Sequence, residues 1–262
     1  MEQPDAPGQA AFSWVELVTS DWSEVKPFYE KVFGWTAFDS TTPAGTYVTF
    51  QQDHADVAGL YEMAEEQREG DTPPHWLPYV SVPSVHEALS QAGDLGALLV
   101  NSPTDLGSAG RAAVIEDPTG AVLALWEAQE HPGMGLVGEP VSLAWAEHLS
   151  ARPADAVSFY TRLFDWAVEH VSSGDRLHSY LQGRAGDVAG VAAHEDDKSR
   201  GQWRVYFSVV EAERTLDQIK NHGGAVEKEL EGPQGPAAHA ADPQGASFGI
   251  LEREVERKKN AP

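Results

Sequence analysis

Cysteine is absent from the 262-residue chain. Disulfides, thiolate zinc sites, iron–sulfur clusters and a cysteine nucleophile are therefore excluded together. Basic residues are also scarce, since 18 Lys and Arg stand against 41 Asp and Glu, which gives a formal net charge of −23. Because nucleic acids and anionic membranes are bound mainly through Lys and Arg, we expect neither as a partner.

Long apolar runs are missing as well. None approaches the ~18 residues that a membrane-spanning helix needs. The first eight residues have neither the basic segment nor the apolar stretch of a secretory signal. These absences lead us to expect a cytoplasmic protein. Hydrophobic residues make up 41% of the chain, which is enough for a packed core.

The sequence does contain two copies of one unit. Residues 14–35 and 145–166 share Trp, Glu, Phe and Tyr after a shift of 131 (145 − 14). Residues 76–82 and 203–209 share Trp, Tyr, Ser and Val. An Asp-Pro-x-Gly-Ala segment begins at both Asp117 and Asp242. The chain is therefore a duplication of a unit of roughly 125–130 residues, and we call equivalent residues counterparts.

Each unit is predicted to hold two modules of the order βαβββ. Alternating residues at 13–19 indicate a strand, and Val25 and Phe28 lie at helical spacing after the capping residue Asp21. Three short β-rich runs follow, and the same order then recurs. Glycine and proline concentrate at 131–140, which is typical of a linker. The predicted organisation is a disordered lead at 1–11, a first domain at 12–130, a linker at 131–140, a second domain at 141–252 and a charged tail at 253–262.

The sequence resembles the vicinal oxygen chelate superfamily in three features. These are the four modules, the Phe-Tyr-x-x-x-Phe-Gly-Trp helix end at 28–35 and the Asp-Pro-x-Gly-Ala turn. That superfamily includes glyoxalase I, extradiol dioxygenases, fosfomycin-modifying enzymes and bleomycin-resistance proteins. The likeness is greatest to tandem-domain actinobacterial members described as hydroxylase-like. The resemblance implies an α+β fold, with two tandem glyoxalase/bleomycin-resistance-type domains that each curl a mixed β-sheet into a cup.

The resemblance also implies where a metal would bind. Metal-dependent members carry His, Glu or Gln ligands at the inward start of the first strand and on the last strand of each module. Indole, alkyl and hydrogen side chains supply no ligand for a divalent cation. We therefore predict no cofactor and no metal site, with His75 and Glu16 left as the alternative metal-binding pair. The expected ligand positions hold Trp14, Trp145, Leu77, Arg204, Ala124 and Gly249.

An acid, a phenol and an indole are predicted to face each cup. Glu16 follows Trp14 by two residues, so strand alternation places both on one face. An apolar pocket raises a carboxyl pKa, which suits a general base, and Glu16 is the candidate catalytic residue. The alternative is a structural hydrogen bond between Glu16 and a tyrosine. The predicted ligand-binding residues are Trp14, Glu16, His75, Tyr79, Trp126, Trp145, Glu147, Arg204 and Tyr206.

Two further alternatives stay open. Trp14 and Trp145 are either stacking walls for a ligand or plugs that fill the cups. Arg204 has Leu77 as its counterpart, and a guanidinium facing a cup needs an anionic partner. Glu147 is one candidate partner and an anionic ligand is the other.

Three functions are compatible with these features. The main prediction is a metal-independent protein that binds an aromatic or hydrophobic metabolite or antibiotic. The first alternative is a glyoxalase-, dioxygenase- or hydroxylase-like enzyme that depends on a metal or uses Glu16 as a base. The second alternative is a regulatory or interaction protein whose cups are filled by its own side chains. The expected partner is a small molecule, and the expected state is a monomer or homodimer.

Overall fold

The computed structural model describes residues 10–42, 45–70, 72–173, 176–184, 186–194, 196, 198–232 and 235–253. The predicted lead up to residue 9 and the predicted tail from residue 254 lie outside these residues. Within the described chain, no helix is long and apolar enough to cross a membrane.

The predicted βαβββ order is present in all four modules, with one addition. The addition is a short helix at residues 65–69, between the first two modules. The first half of the chain contains β1 (Phe12–Thr19), α1 (Trp22–Phe33), β2 (Thr36–Thr42), β3 (Gly45–Gln52), β4 (Ala55–Glu62), α2 (Glu65–Glu69), β5 (His75–Ser81), α3 (Val85–Asp94), β6 (Leu98–Asp105), β7 (Gly110–Glu116) and β8 (Val122–Ala128). The second half contains β9 (Leu143–Ser150), α4 (Pro153–Phe164), β10 (Ala167–Ser173), β11 (Arg176–Gly183), β12 (Gly186–Ala193), β13 (Gln202–Val209), α5 (Ala212–Asn221), β14 (Ala225–Gly232), β15 (Gly235–Ala241) and β16 (Ser247–Glu252).

The strands form two mixed sheets with equivalent strand orders. The first is β2-β3-β4-β1-β5-β8-β7-β6, and the second is β10-β11-β12-β9-β13-β16-β15-β14. Hairpin neighbours such as β7 and β8 are antiparallel, whereas β5–β8, β9–β12 and β13–β16 are parallel pairs. The predicted α+β class, with tandem mixed sheets built from four modules, is confirmed.

Packing groups the modules differently from their order in the sequence. Among the described residues, one compact unit consists of residues 10–17, 76–135 and 145–205. The other consists of the described residues within 18–75, 136–144 and 206–253. The first unit thus contains the second module of the first repeat and the first module of the second repeat, together with most of β1 and the start of β13. The second unit contains the rest of the two remaining modules.

Local signals set the ends of the module helices. Asp21 caps α1 by accepting hydrogen bonds from the backbone of Ser23 at 2.9 Å and of Glu24 at 3.2 Å. A hydrogen bond from the Ser23 side chain and these backbone bonds lower the Asp21 pKa. Gly34 at φ 74° and Asp165 at φ 55° end α1 and α4 in the left-handed conformation.

Four tryptophans outside the inner faces belong to the core. Each is less than a tenth exposed, and three of them lie against other aromatic rings. The four are Trp35, Trp76, Trp166 and Trp203, and the ring contacts are those of Trp35, Trp166 and Trp203.

Candidate functional site

Each sheet has one face against its helices and an opposite face, which we call the inner face. On the second sheet, the rings of His148 and Trp203 lie 5.1 Å apart and both contact Tyr160 of α4. These residues therefore mark the helix-facing side of β9 and β13. Because side chains alternate along a strand, Glu147 and Arg204 point to the inner face.

The inner face of the first sheet is filled by aromatic side chains. Trp14 is only 4% exposed, and its ring meets the His131 ring edge-on at 4.8 Å. Trp126 lies 6.0 Å from the His131 ring and donates its indole N–H to the His131 carbonyl at 3.1 Å. The Tyr79 ring is a further 6.5 Å from Trp126. The protein therefore occupies this face with its own residues.

The segment that closes this face is residues 131–135, which we call the strap. His131 begins it, with its backbone N–H bonded to the Ala109 carbonyl. Met134 donates its backbone N–H to the Ser13 carbonyl on β1 at 2.7 Å. Gly133 permits this approach, since its φ is +120° and a Cβ atom there would lie 2.1 Å from the same carbonyl oxygen. The first part of the predicted linker is thus packed against a strand.

Glu16 and Tyr79 are hydrogen-bonded to each other on this face. The Tyr79 hydroxyl donates to Glu16 Oε2 at 2.5 Å, and each residue is 7% exposed. The Glu16 carboxylate thus gives the buried Tyr79 hydroxyl the hydrogen-bond acceptor that a buried polar group needs. The geometry therefore favours the structural hydrogen bond over the general-base role for Glu16.

The second sheet presents an accessible inner face. Trp145 and Glu147 are partly exposed, whereas their counterparts Trp14 and Glu16 are buried. The Trp145 ring lies 6.0 Å from the Tyr180 ring and rests over Gly190, where a Cβ atom would be 3.3 Å from the indole nitrogen. Trp145 and Tyr180 therefore form an aromatic surface that solvent reaches.

A row of polar residues crosses four strands of the second sheet. The strand register aligns Lys228 on β14 with His239 on β15, His239 with Gly249 on β16, and Gly249 with Tyr206 on β13. The Tyr206 hydroxyl lies 2.9 Å from His239 Nε2. Tyr206 is buried, but His239 is partly exposed and Lys228 is exposed.

The equivalent row in the first sheet is largely apolar. The register there aligns Asn101 with Val114, Val114 with Ala124, and Ala124 with Tyr79. Only the tyrosine is common to both rows. Sequence reasoning predicted Tyr206 but not His239 or Lys228. Each of these two is a single polar residue in the β14–β15 hairpin, so no periodic pattern marked it. The contrast between the two repeats was the available signal.

Sequence reasoning also missed a buried network on the helix-facing side of the first compact unit. Asp117 Oδ2 accepts the Tyr160 hydroxyl at 2.8 Å and lies 2.9 Å from His148 Nε2. Trp203 donates its indole N–H to the Tyr160 oxygen at 2.9 Å. The other Asp117 oxygen accepts from the Thr119 hydroxyl and from the backbone of residues 119–121. This network fixes α4 against the turn that follows β7.

The electrostatics of Asp117 follow from these contacts. Burial by itself would raise its pKa, but the hydrogen bond and charge of His148, with the Thr119 and Tyr160 hydrogen bonds, lower it to about 2. Burial and the Asp117 charge raise the Tyr160 pKa well above its usual value. Asp117 is therefore a stable buried anion, and Tyr160 stays protonated.

The second compact unit repeats the network without its histidine. Asp242 accepts the Tyr29 hydroxyl at 3.0 Å and the backbone N–H groups of Gln244 and Ala246. By the repeat shift, the counterpart of His148 is Leu17. Burial raises the Asp242 pKa despite these hydrogen bonds. The Asp and Tyr residues of the network recur in both repeats, so the sequence contained a pattern for them. His148 has no histidine at its counterpart position, so no repeated pattern marked it.

Comparison with known proteins identifies the family. Residues 11–125 match the glyoxalase/bleomycin resistance protein/dioxygenase superfamily, and residues 146–251 match a glyoxalase-like domain. A relative from Mycobacterium tuberculosis, CFP32, provisionally named a glyoxylase, is 33% identical over 250 residues that cover 93% of this chain and 95% of the relative. The chain belongs to this superfamily. It is a tandem member, as the resemblance of its repeats indicated.

Two further proteins, a biosynthesis protein and a protein of known structure, are similar to this chain. The anthracycline biosynthesis protein DauV of Streptomyces sp. strain C5 is 29% identical over 265 residues, which cover 94% of each chain. The crystal structure of the 2,3-dioxygenase LapB from Pseudomonas sp. KL28 has a TM-score of 0.65, at 15% identity, and covers 97% of this chain and 96% of LapB. At that identity, LapB supports the fold alone.

Among the described residues, the donor atoms that a metal-dependent superfamily member needs are not gathered in one place. Across the part of the chain that the structure describes, no group of three His, Asp or Glu residues is placed to hold an ion. His75, the alternative ligand, is partly exposed, and its Nδ1 lies 2.9 Å from the Pro73 carbonyl. Burial lowers the His75 pKa, partly offset by that hydrogen bond. Arg204 replaces a ligand with a cation, so this donor set does not fit a divalent metal.

Proposed function

We propose that this superfamily member binds a planar aromatic small molecule on the inner face of its second sheet, without a metal. The observation that carries the proposal is the difference between two counterpart tryptophans. Trp14 is buried beneath His131 of the strap, whereas Trp145 is partly exposed beside Tyr180. The duplicated fold thus has one face filled and one face accessible.

The accessible side chains suit an aromatic ligand. Indole and phenol rings offer large, rigid apolar surfaces, and a stacked aromatic pair contributes roughly 0.5–1.5 kcal/mol beyond burial of its area. Arg204 points to the same face as Trp145 and Glu147. A guanidinium binds planar oxygen groups such as carboxylates through two hydrogen bonds. We therefore expect a ligand with an aromatic plane and an acidic oxygen group.

The relatives support this chemical class. DauV is named for anthracycline biosynthesis, and anthracyclines are polycyclic aromatic compounds. The likeness covers 94% of both chains, so it includes the accessible second sheet.

A second candidate function is metal-free catalysis by proton transfer. One relative carries the name of an enzyme, glyoxylase. The specific observation that favours this candidate is the Tyr206–His239 pair, in which a phenol and an imidazole lie 2.9 Å apart. Glu16 is a weaker candidate base, because it is buried and already bonded to Tyr79.

Counterpart substitutions test the binding proposal. We expect anthraquinone-2-carboxylate to bind the wild-type chain, and we expect Trp145→Phe to weaken binding about fivefold, since the smaller phenyl ring loses about 1 kcal/mol of stacking. Arg204→Leu, which introduces the residue found at the counterpart Leu77, should weaken it by a similar factor. Isothermal titration calorimetry measures both effects without relying on tryptophan emission.

Trp14→Phe is the matched control and should leave the affinity for anthraquinone-2-carboxylate unchanged. If Trp14→Phe weakens binding and Trp145→Phe does not, the ligand occupies the first sheet and the proposal is wrong. Failure of the wild-type chain to bind any member of a panel of planar aromatic acids would also contradict it. That outcome would favour a protein whose faces are filled.

A further inference from the structure

Three residues are aligned across β10, β11 and β12, the outer strands of the second sheet. The register pairs Glu169 with Tyr180, and Tyr180 with Gly190. Because register partners on neighbouring strands project to the same face, the Glu169 carboxylate and the Tyr180 phenol share a face. Trp145 rests over Gly190 on that face, which is therefore the inner face. All four residues belong to one compact unit, within 145–205.

The equivalent alignment in the first sheet is built from different side chains. The counterparts of Glu169, Tyr180 and Gly190, at the repeat shift of 131, are Phe38, Thr49 and Gly59. The register that joins these counterparts is the same as in the second sheet. The glycine is thus common to both alignments, whereas the carboxylate and the phenol are found in the second sheet alone.

A side-chain amide holds the Glu169 carboxylate in place. Gln182 donates from Nε2 to Glu169 Oε2 at 3.1 Å and to Asp187 Oδ1 at 2.9 Å. The first sheet repeats the second of these bonds, since Gln51 Nε2 donates to Asp56 Oδ1 at 2.7 Å. The Gln–Asp pair is therefore common to both repeats, and Glu169 is an addition in the second. Glu169 is exposed, so a ligand can reach its carboxylate.

A carboxylate beside accessible aromatic rings suits a cationic group. The Trp145 and Tyr180 rings lie 6.0 Å apart, and both residues are partly exposed. The faces of indole and phenol rings attract an ammonium group. A carboxylate such as that of Glu169 adds opposite charge and strong hydrogen-bond acceptors. The formal net charge of −23 also raises the concentration of cations near the surface of the protein.

We infer that the aromatic ligand of the second sheet also carries a cationic ammonium group, which Glu169 and the Tyr180 ring bind. The ring system stacks on Trp145, and the ammonium group donates hydrogen bonds to the Glu169 carboxylate. β10 and β13 lie on opposite sides of β9, so the ammonium group and the acidic group bound by Arg204 belong at opposite ends of the ligand. The inference rests on the proposed function, because the ring system must first stack on Trp145.

Two probes with one ring system test the inference. Anthraquinone-2-carboxylate carries an acidic group alone, and 2-(aminomethyl)anthraquinone, protonated at neutral pH, carries an ammonium group alone. We expect the amine to bind the wild-type chain, and we expect Glu169→Gln to weaken its binding about fivefold at low salt, since one exposed charge pair is lost. The acid should bind Glu169→Gln no more weakly than it binds the wild-type chain. Isothermal titration calorimetry measures both affinities.

Salt dependence separates a charge contact from a structural effect of the substitution. Raising the NaCl concentration from about 50 mM to about 500 mM should weaken amine binding more in the wild-type chain than in Glu169→Gln, because salt screens exposed charge pairs. Phe38→Glu is the matched control, since it introduces a carboxylate at the counterpart position in the first sheet. It should leave the affinity for the amine unchanged. Circular dichroism and the melting temperature establish that each variant is folded.

The outcomes separate the two proposals. If the acid binds and the amine does not, or if the amine binds Glu169→Gln as tightly as the wild-type chain, the ammonium site is wrong and the binding proposal stands. If the amine binds through Glu169 and the acid does not bind, the inference is supported and the acidic group of the binding proposal is wrong. If neither probe binds, both proposals are overturned. Binding of both probes, with only the amine sensitive to Glu169→Gln, supports both.

Discussion

Asp117→Asn is expected to lower the free energy of unfolding by about 3 kcal/mol. Asp117 is a buried anion whose Oδ2 atom accepts the Tyr160 hydroxyl and lies 2.9 Å from His148 Nε2, and removing its charge leaves these buried polar groups with a weaker, neutral partner. His148 is fully buried, so water does not replace the lost carboxylate. Urea-induced unfolding at pH 7 measures the change.

Asp242→Asn is the matched control, and it should cost only about 1 kcal/mol. Asp242 accepts a hydrogen bond from Tyr29, as Asp117 does from Tyr160, but the counterpart of His148 is Leu17. Burial raises the pKa of Asp242. The charge on Asp242 therefore contributes less than the charge on Asp117. Equal losses in the two variants would show that His148 adds nothing to the Asp117 network.

The two carboxyl groups should also respond to pH with opposite signs. The folded pKa of Asp117 lies at about 2, below the usual 3.8 of an aspartate, so its charge contributes stability above pH 4. That contribution, about 2 kcal/mol, is lost as the pH falls toward 2. The folded pKa of Asp242 is raised, so its ionisation lowers stability as the pH rises through that value. Unfolding of each asparagine variant between pH 2 and pH 6 separates the two contributions.

Gly133→Ala is expected to open the first sheet and to destabilise the chain by about 3 kcal/mol. The residue has φ +120°, which is strained for any side chain, and its Cβ atom would lie 2.1 Å from the Ser13 carbonyl oxygen. The strap must therefore move away from β1, and His131 with it. We expect Trp14 to become accessible, which acrylamide quenching of tryptophan fluorescence would report.

Gly45→Ala separates backbone strain from the clash. Gly45 has φ +119°, but nothing lies within 4 Å of the position its Cβ atom would take. It should lose stability through strain alone, about 1–2 kcal/mol, with no change in acrylamide quenching. Unchanged quenching in Gly133→Ala would mean that the strap does not cover Trp14.

The fold could be predicted from the sequence because its signals are local and repeated. Asp21 and Gly34 bound a helix by capping chemistry, and the four modules show the same change from strand to helix period. The pairing of modules into compact units could not be predicted. Asp117 belongs to the first repeat and Tyr160 to the second, and no periodicity states that their side chains meet.

The site was predictable in part for a related reason. Alternation placed Trp145, Glu147 and Arg204 on one face, but it also placed Trp14 and Glu16 on the equivalent face of the first sheet. Whether a face is accessible depends on what covers it, and the strap at 131–135 read only as a linker. His239 was missed because its role depends on the register of three neighbouring strands.

A crystal structure of the chain soaked with anthraquinone-2-carboxylate tests the central claim most directly. We predict electron density for the ring system stacked on Trp145, its carboxylate directed toward Arg204, and none against Trp14. Density confined to the first sheet, or a bound divalent cation that orients the probe, would contradict a metal-free site on the second sheet.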